Sequence, residues 1–205
     1  MAQTLTLDDR LAHERSLLAH GYRLPAGMDE VGRGPLAGPV VAACVILPIT
    51  DPIGGVDDSK RISAKKRAEL LRQIERSATA IGIGVVEHDV IDRINILKAT
   101  RLAMERAVGA MRKQPDYILV DALENLNIPM RHRGVVHGDG LCYLVGAASI
   151  VAKQARDAMM IEYAHRFPGY GFERNMGYGT PEHIDALRRL GPCAIHRRSF
   201  IRGIL

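Results

Sequence analysis

Apolar positions along the chain follow two rhythms, one near 3.6 residues and one close to strand alternation. Between residues 7 and 21, Leu7, Leu11, Leu17 and Leu18 recur near one helical face, and Gly21 follows them, so a short N-terminal helix is expected. Residues 24–31 and 39–47 (PVVAACVIL) are rich in small and β-branched apolar residues, with glycines and a proline between, and predict two neighbouring strands joined by a turn. A Pro/Gly/Asp loop occupies 48–58. Ser63 then caps a predicted helix running to about Ser77, with Lys65, Lys66, Arg67 and Arg72 outward and Leu70, Leu71 and Ile74 inward. A third strand is expected at 79–86. Helical spacing continues over 88–113 (Val90, Ile91, Ile94, Leu97, Leu102, Ala107, Met111), with a break near Asn95 and Pro115 as the stop signal. Short buried strands at 117–121 (YILVD) and 134–136, a helix over 141–166 and one more helix near 181–190 complete the pattern.

Three early strands on short links, followed by alternating strand and helix, predict an α/β domain built on a mixed sheet flanked by helices. A length of 205 residues suits a single domain, 1–205, with residues 168–205 as a C-terminal helical segment. Internal repeats and low-complexity tracts are absent from the sequence.

Composition changes this picture little. Lys and Arg number 28 against 23 Asp and Glu, a formal charge of +5, with positive residues crowded at 60–67, 131–133 and 188–202. Such a balance suits a polyanionic partner and equally a solvated surface. Cys44, Cys142 and Cys193 are far apart and odd in number, which argues against a disulfide framework or a zinc site. No apolar run reaches membrane-span length, and the first residues lack the layout of a signal peptide, so a cytoplasmic protein is expected, by default a monomer.

The chemistry lies where the predicted strands end. Asp29 and Glu30 close the first strand, Asp121 closes YILVD, and Asp139 follows GVVHG. A single acid after a strand commonly caps a turn or pairs with arginine. Four at three strand ends repel one another unless a cation compensates, and an all-oxygen set suits Mg²⁺ or Mn²⁺ over softer metals. Residues 32–34 (Gly32-Arg33-Gly34) can be an ordinary turn. They can also cradle an anion, because glycines admit close approach to backbone N–H groups. The stretch matches neither nucleotide-cofactor glycine pattern.

Several segments then become specific together: GMDEVGRGPLAGPVVAACVIL at 27–47, DDSKRIS at 57–63, INILKATRLAM at 94–104, ILVDA at 118–122, AASIVAKQARD at 147–157 and GYGTPEHIDALRRLGPCAIHRRSF at 177–200. In this order they resemble the type 2 ribonuclease H family, represented in bacteria by ribonuclease HII. The resemblance covers nearly the whole chain. It implies a ribonuclease H-like mixed sheet and an endonuclease that hydrolyses the RNA strand of RNA–DNA hybrids. It also implies nicking 5′ of ribonucleotides embedded in duplex DNA, leaving 5′-phosphate and 3′-hydroxyl, in ribonucleotide removal and primer RNA degradation. Catalysis would use two ions, Mg²⁺ or Mn²⁺, held by Asp29, Glu30, Asp121 and Asp139. Gly32, Arg33 and Gly34 match the element associated with backbone recognition of the 2′-hydroxyl, and Tyr178 the tyrosine that stacks on the following sugar. Lys60 and Lys153, inside matched motifs, and Arg197 and Arg198 are candidate phosphate contacts. His137-Gly138-Asp139-Gly140 departs from the lysine and serine usual around the fourth acid, and VDA replaces the commoner VDG. Asp157 is a candidate supporting acid, or an ordinary helix-surface or arginine-paired aspartate. His183 and His196 are expected to cap, pack or touch phosphate rather than act as bases. The rival reading is a noncatalytic RNA–DNA hybrid-binding module.

Overall fold

The computed structural model describes residues 5–57, 59, 62–123 and 125–205. Its centre is one five-stranded sheet. β1 (Pro25–Val31) pairs antiparallel with β2 (Val40–Ile46), and β2 pairs antiparallel with β3 (Ala80–Val86). β4 (Tyr117–Asp121) lies parallel to β1 on its other side, and β5 (Arg131–Val135) parallel to β4, giving the order β3-β2-β1-β4-β5. All seven residues of β2 are buried, which is why VVAACVI shows a continuous apolar run instead of alternation.

Both faces of the sheet are covered. Ala42, Cys44 and Ile46 pack with Ala99, Ala103, Met104 and Ala107 on one side. Ala43 and Val45 pack with Leu70, Ile74, Tyr143, Leu144 and Ala147 on the other. The first side belongs to α5 (Ile96–Gly109), which follows α4 (His88–Ile94) after a break at Asn95, where φ is 70° and the side chain caps Lys98 N at 3.1 Å. The break expected near Asn95 thus divides the stretch into two helices, the second ending at Gly109, four residues short of the expected 113. The alanines of α5 fall every fourth residue and let its backbone settle onto Gly82 and Gly84 of β3, where a Cβ would overlap Ala107 O and Ala103 O.

The second side carries α3 (Ala64–Ser77), whose N-cap Ser63 accepts from Lys66 N at 3.3 Å as anticipated, a contact worth about 1 kcal/mol. Leu70 and Ile74 are fully buried, each contributing roughly 1.5–3 kcal/mol, while Leu71 is only half-buried. Beside it runs α7 (Tyr143–Arg166), preceded by the one-turn α6 (Gly138–Leu141); Cys142 between them is extended. The N-terminal helical stretch is likewise split, into α1 (Leu7–Arg10) and α2 (Ala12–Ala19). Glu14 of α2 is buried and accepts Leu144 N at 2.9 Å, satisfying one of the unpaired amides at the start of α7. Burial pushes the Glu14 carboxyl up to about 7.

The last segment holds α8 (Phe172–Asn175), α9 (Pro181–Leu190) and α10 (Arg198–Ile201). Its core of Tyr170, Phe172, Ala186, Leu187, Ile195 and Ile201 closes on Ala37 and Met160, so it is packed against the turn after β1 and the far end of α7. Among the described residues no helix is long and apolar enough to cross a membrane.

Candidate active site

Because β1, β4 and β5 are parallel, their C-terminal ends open on one edge of the domain, and the acids singled out in the sequence gather there. Met28 pairs with Val120. The register carried one residue further sets Asp29 beside Asp121. Asp29 is 4% exposed and lies on the face covered by α7, whose Ser149 hydroxyl hydrogen-bonds it and stands 2.9 Å from Ser59 Oγ. Asp121 Oδ1 accepts Gly138 N at 2.8 Å, which ties the end of β4 to α6. Asp139 is the next residue of α6, buried, with Oδ1 accepting Gly140 N at 2.9 Å. His137, at φ 58°, makes the left-handed turn that swings the chain from β5 into α6. The departure in this tetrapeptide thus leaves Asp139 in the buried wall next to Asp121.

The electrostatics are those of acids short of positive charge. Burial raises the Asp29 carboxyl well above the usual carboxylate range, and Glu30 and Asp121 add repulsion. Glu30 is raised by burial as well, with Asp121 adding and Arg33 opposing. Arg33 Nη1 pairs with Glu30 Oε1 at 3.1 Å, whereas the buried Glu30 Oε2 has no hydrogen-bond partner. The described residues contain no group of three or more His, Cys, Asp or Glu already close enough to share one ion. Desolvated carboxylates with an orphaned oxygen, and no soft donor beside them, nonetheless fit a divalent cation that takes oxygen ligands.

The turn after β1 adjoins this edge. Tyr178 is 41% exposed, and a Cβ on Gly34 would sit 3.7 Å from its ring. The turn and the tyrosine, 144 residues apart, are therefore neighbours, joined through Leu36 N to Gly177 O at 2.8 Å.

The other candidates separate. Lys60 lies outside the described residues. Lys153 is on α7 one turn beyond Ser149 and pairs with Asp157 at 2.6 Å, both side chains mostly buried, so the partner of Asp157 is a lysine and not the expected arginine. Arg197 corrects the expectation of a phosphate contact: it is fully buried and donates to the carbonyls of Gly32, Arg33, Gly38 and Pro39. Arg198 remains on the surface. Sequence reasoning missed Ser149 and Arg156 altogether. Arg156 lies on the same helical stripe as the buried Ala152 and Met160, a spacing that marks it as inward-facing.

His183 and His196 are buried against each other, Nε2 to Nε2 at 3.1 Å. Cys193 N donates to His196 Nδ1, so His196 carries its proton on Nε2; His183 accepts there and donates from Nδ1 to Tyr178 O at 2.8 Å. Both rings are neutral in this arrangement. Burial, then the facing His183, depresses His196 to about 4. The pair's contribution to stability is then complete above the unfolded histidine value near 6.5 and is lost as pH falls toward about 4. We expect wild type to lose on the order of 1–3 kcal/mol more than a His196→Gln protein between pH 7 and pH 4.5 in urea unfolding. Parallel pH profiles would show that the pair does not titrate.

The sheet order, with helices on both faces, is that of a ribonuclease H-like domain. The family model for ribonuclease HII matches residues 26–203. Over 189 residues, 92% of this chain and 74% of the relative, the sequence is 51% identical to ribonuclease HII of Bacillus velezensis. The chain belongs to the ribonuclease HII family, metal-dependent endoribonucleases with ribonuclease H activity on RNA–DNA hybrids. Its fold is similar to ribonuclease H2 from Pyrococcus horikoshii OT3, with a TM-score of 0.74 and 24% identity, covering 89% of this chain and 97% of that one. It is also similar to a chain of the PCNA:RNase HII complex from Archaeoglobus fulgidus, with a TM-score of 0.71 and 25% identity, covering 86% of this chain and 95% of that one.

Proposed function

We propose that this endoribonuclease cuts the RNA strand of hybrids and nicks duplex DNA on the 5′ side of an embedded ribonucleotide, leaving 5′-phosphate and 3′-hydroxyl ends. The observation that carries this reading is the adjacency of the acid edge (Asp29, Glu30, Asp121, Asp139) to a glycine turn with Tyr178 beside it. Bound at those acids, two Mg²⁺ or Mn²⁺ ions would supply activation of a water and stabilisation of the departing 3′-oxygen. Asp29 and Glu30 hold negative charge in a poorly solvated wall, and Asp121 and Asp139 extend that wall. Backbone groups of residues 32–34 meet the 2′-hydroxyl, the group that separates RNA from DNA at one position. Tyr178 stacks on the next sugar, and Lys153 and Arg198 add phosphate contacts that do not depend on sequence.

An end-labelled duplex with one ribonucleotide should give a single nick at that residue with Mg²⁺ or Mn²⁺. Replacing its 2′-hydroxyl by hydrogen should abolish the cut. Equal cutting of all-DNA duplex would refute the sugar-reading part, and binding without any metal-dependent nick would favour the noncatalytic module. Ribonuclease HII family membership already weighs against that module.

A further inference from the structure

Beneath the glycine turn lie two arginines that form no salt bridge among the described residues. Arg156 on α7 and Arg197, at the N-cap of α10, are both fully buried. Their guanidiniums bond main-chain carbonyls instead. Arg156 donates from Nε to Pro39 O at 3.0 Å, from Nη1 to Met176 O at 2.9 Å and from Nη2 to Ala37 O at 3.2 Å. Arg197 donates from Nε to Gly38 O at 3.0 Å, from Nη1 to Arg33 O at 2.9 Å, and from Nη2 to Gly32 O at 2.6 Å and Pro39 O at 3.1 Å. A planar guanidinium presents five N–H donors in a fixed fork, which is what carbonyls spread around one plane require.

The consequence follows from the peptide bond. In a trans peptide the C=O of one residue and the N–H of the next point opposite ways. With Gly32 O and Arg33 O drawn inward by Arg197, the amides of Arg33 and Gly34 are turned outward. Neither is a donor in any backbone hydrogen bond among the described residues. Glycine at 32 answers to the same pair: its φ is +93°, and a Cβ there would collide with Arg156 Nε and Cδ. Arg156 then carries the clasp across to Met176, two residues before Tyr178, where Gly177 leaves room for Ala37 O.

We propose that Arg156 and Arg197 are positioning residues for substrate choice, clasping residues 32–39 to residue 176 so that the outward amides of Arg33 and Gly34 and the Tyr178 ring act as one sugar-reading unit. This rests on the proposed reading of the 2′-hydroxyl by that turn. The clasp also leaves two positive charges under the turn: burial, then Arg156, lowers Arg197 to about 9, still protonated at neutral pH. A substrate phosphate beside the ribose is favoured there over a neutral group.

The test is Arg197→Lys and Arg156→Lys, which keep the charge and lose the fork. On a one-ribonucleotide duplex, kcat/KM should fall about 10²-fold, mainly in kcat, the cost of a misplacement near 1 Å. The preference for ribonucleotide over all-DNA duplex should narrow at least about 10-fold. Affinity for all-DNA duplex and Mn²⁺ binding by calorimetry should stay within about 2-fold, which a general loss of structure would not allow. Folded lysine variants with wild-type discrimination overturn the proposal. A wild-type enzyme that itself ignores the 2′-hydroxyl overturns the sugar-reading function instead. Should both variants fail to fold, metal-free ¹⁵N-labelled wild type decides. The amide signals of Arg33 and Gly34 should shift with ribonucleotide-containing duplex and not with all-DNA duplex, while the Arg156 and Arg197 Nε–H signals stay protected. Unmoved amides, or exposed Nε–H groups, sink it.

Discussion

The Asp29→Asn protein is expected to lose about 10³-fold or more in turnover with either Mg²⁺ or Mn²⁺, and to be the more stable protein when metal is removed. Both effects have one origin. Asp29 is buried, and Glu30 and Asp121 face it, so in metal-free protein its charge opposes folding. An amide removes that charge while keeping an oxygen that accepts Glu30 N, bonded at 2.7 Å, and a polar group to face the Ser149 hydroxyl. A gain of about 1–2 kcal/mol, or roughly 2–8 °C in Tm for a chain of this size, is expected in EDTA. Saturating metal should reverse the order, since binding to the folded state stabilises only the protein that holds the ions. The checks are end-labelled cleavage and scanning calorimetry with and without EDTA. Wild-type turnover would remove Asp29 from the reaction. A lower Tm in EDTA would mean that its two hydrogen bonds outweigh the charge.

The elements that bear this chemistry were legible in the sequence to different degrees, and the differences have physical causes. YILVD was placed at its observed bounds, and the strands around Met28 and Ala43 within a residue, because apolar β-branched runs ending in acids have few other folds. β5 begins three residues earlier than expected. Arg131, His132 and Arg133 carry no strand-forming side chains, and only the ladder with Tyr117, Ile118 and Leu119 of β4 makes them a strand. The split at Asn95 was visible, since a side chain that caps the next helix stands where the spacing falters. Arg197 was not legible as a buried group, and Arg156 only through its place on the Ala152–Met160 stripe. Charged residues are read as surface, and what overrides that here is a set of carbonyls contributed, Met176 O aside, by segments more than a hundred residues away. The neighbourhood of Tyr178 and Gly34 was likewise beyond sequence spacing alone. It exists because the C-terminal core closes on Ala37 and Met160.

Replacement of Gly27 by alanine should have the largest effect on the fold, although the change is one methyl group. Gly27 lies two residues before Asp29 and so faces the same side of β1, toward α7. A Cβ there would overlap Leu144 C, Leu144 O and Val145 N, all main-chain atoms of the helix's first turn. Backbone cannot move aside as a flexible side chain can, so the helix must lift off the sheet. That would disturb the buried layer of Ala43, Leu144, Ala147 and Ala148 and the contact of Glu14 with Leu144 N. A loss of about 3–5 kcal/mol is expected, at the far end of single substitutions and a large share of any domain's stability. Gly109→Ala, at the end of α5 with nothing within 4 Å of the new Cβ, should be neutral or gain up to about 1 kcal/mol. Urea unfolding of both variants compares them directly. Gly27→Ala has a second consequence that separates seating of the helix from simple destabilisation. Ser149 rides on α7 one and a half turns beyond Leu144, so any folded fraction should show weakened Mn²⁺ binding as Asp29 loses its hydroxyl partner. A Gly27→Ala protein with wild-type unfolding and metal affinity would show that α7 is seated on β1 less closely than the structure places it.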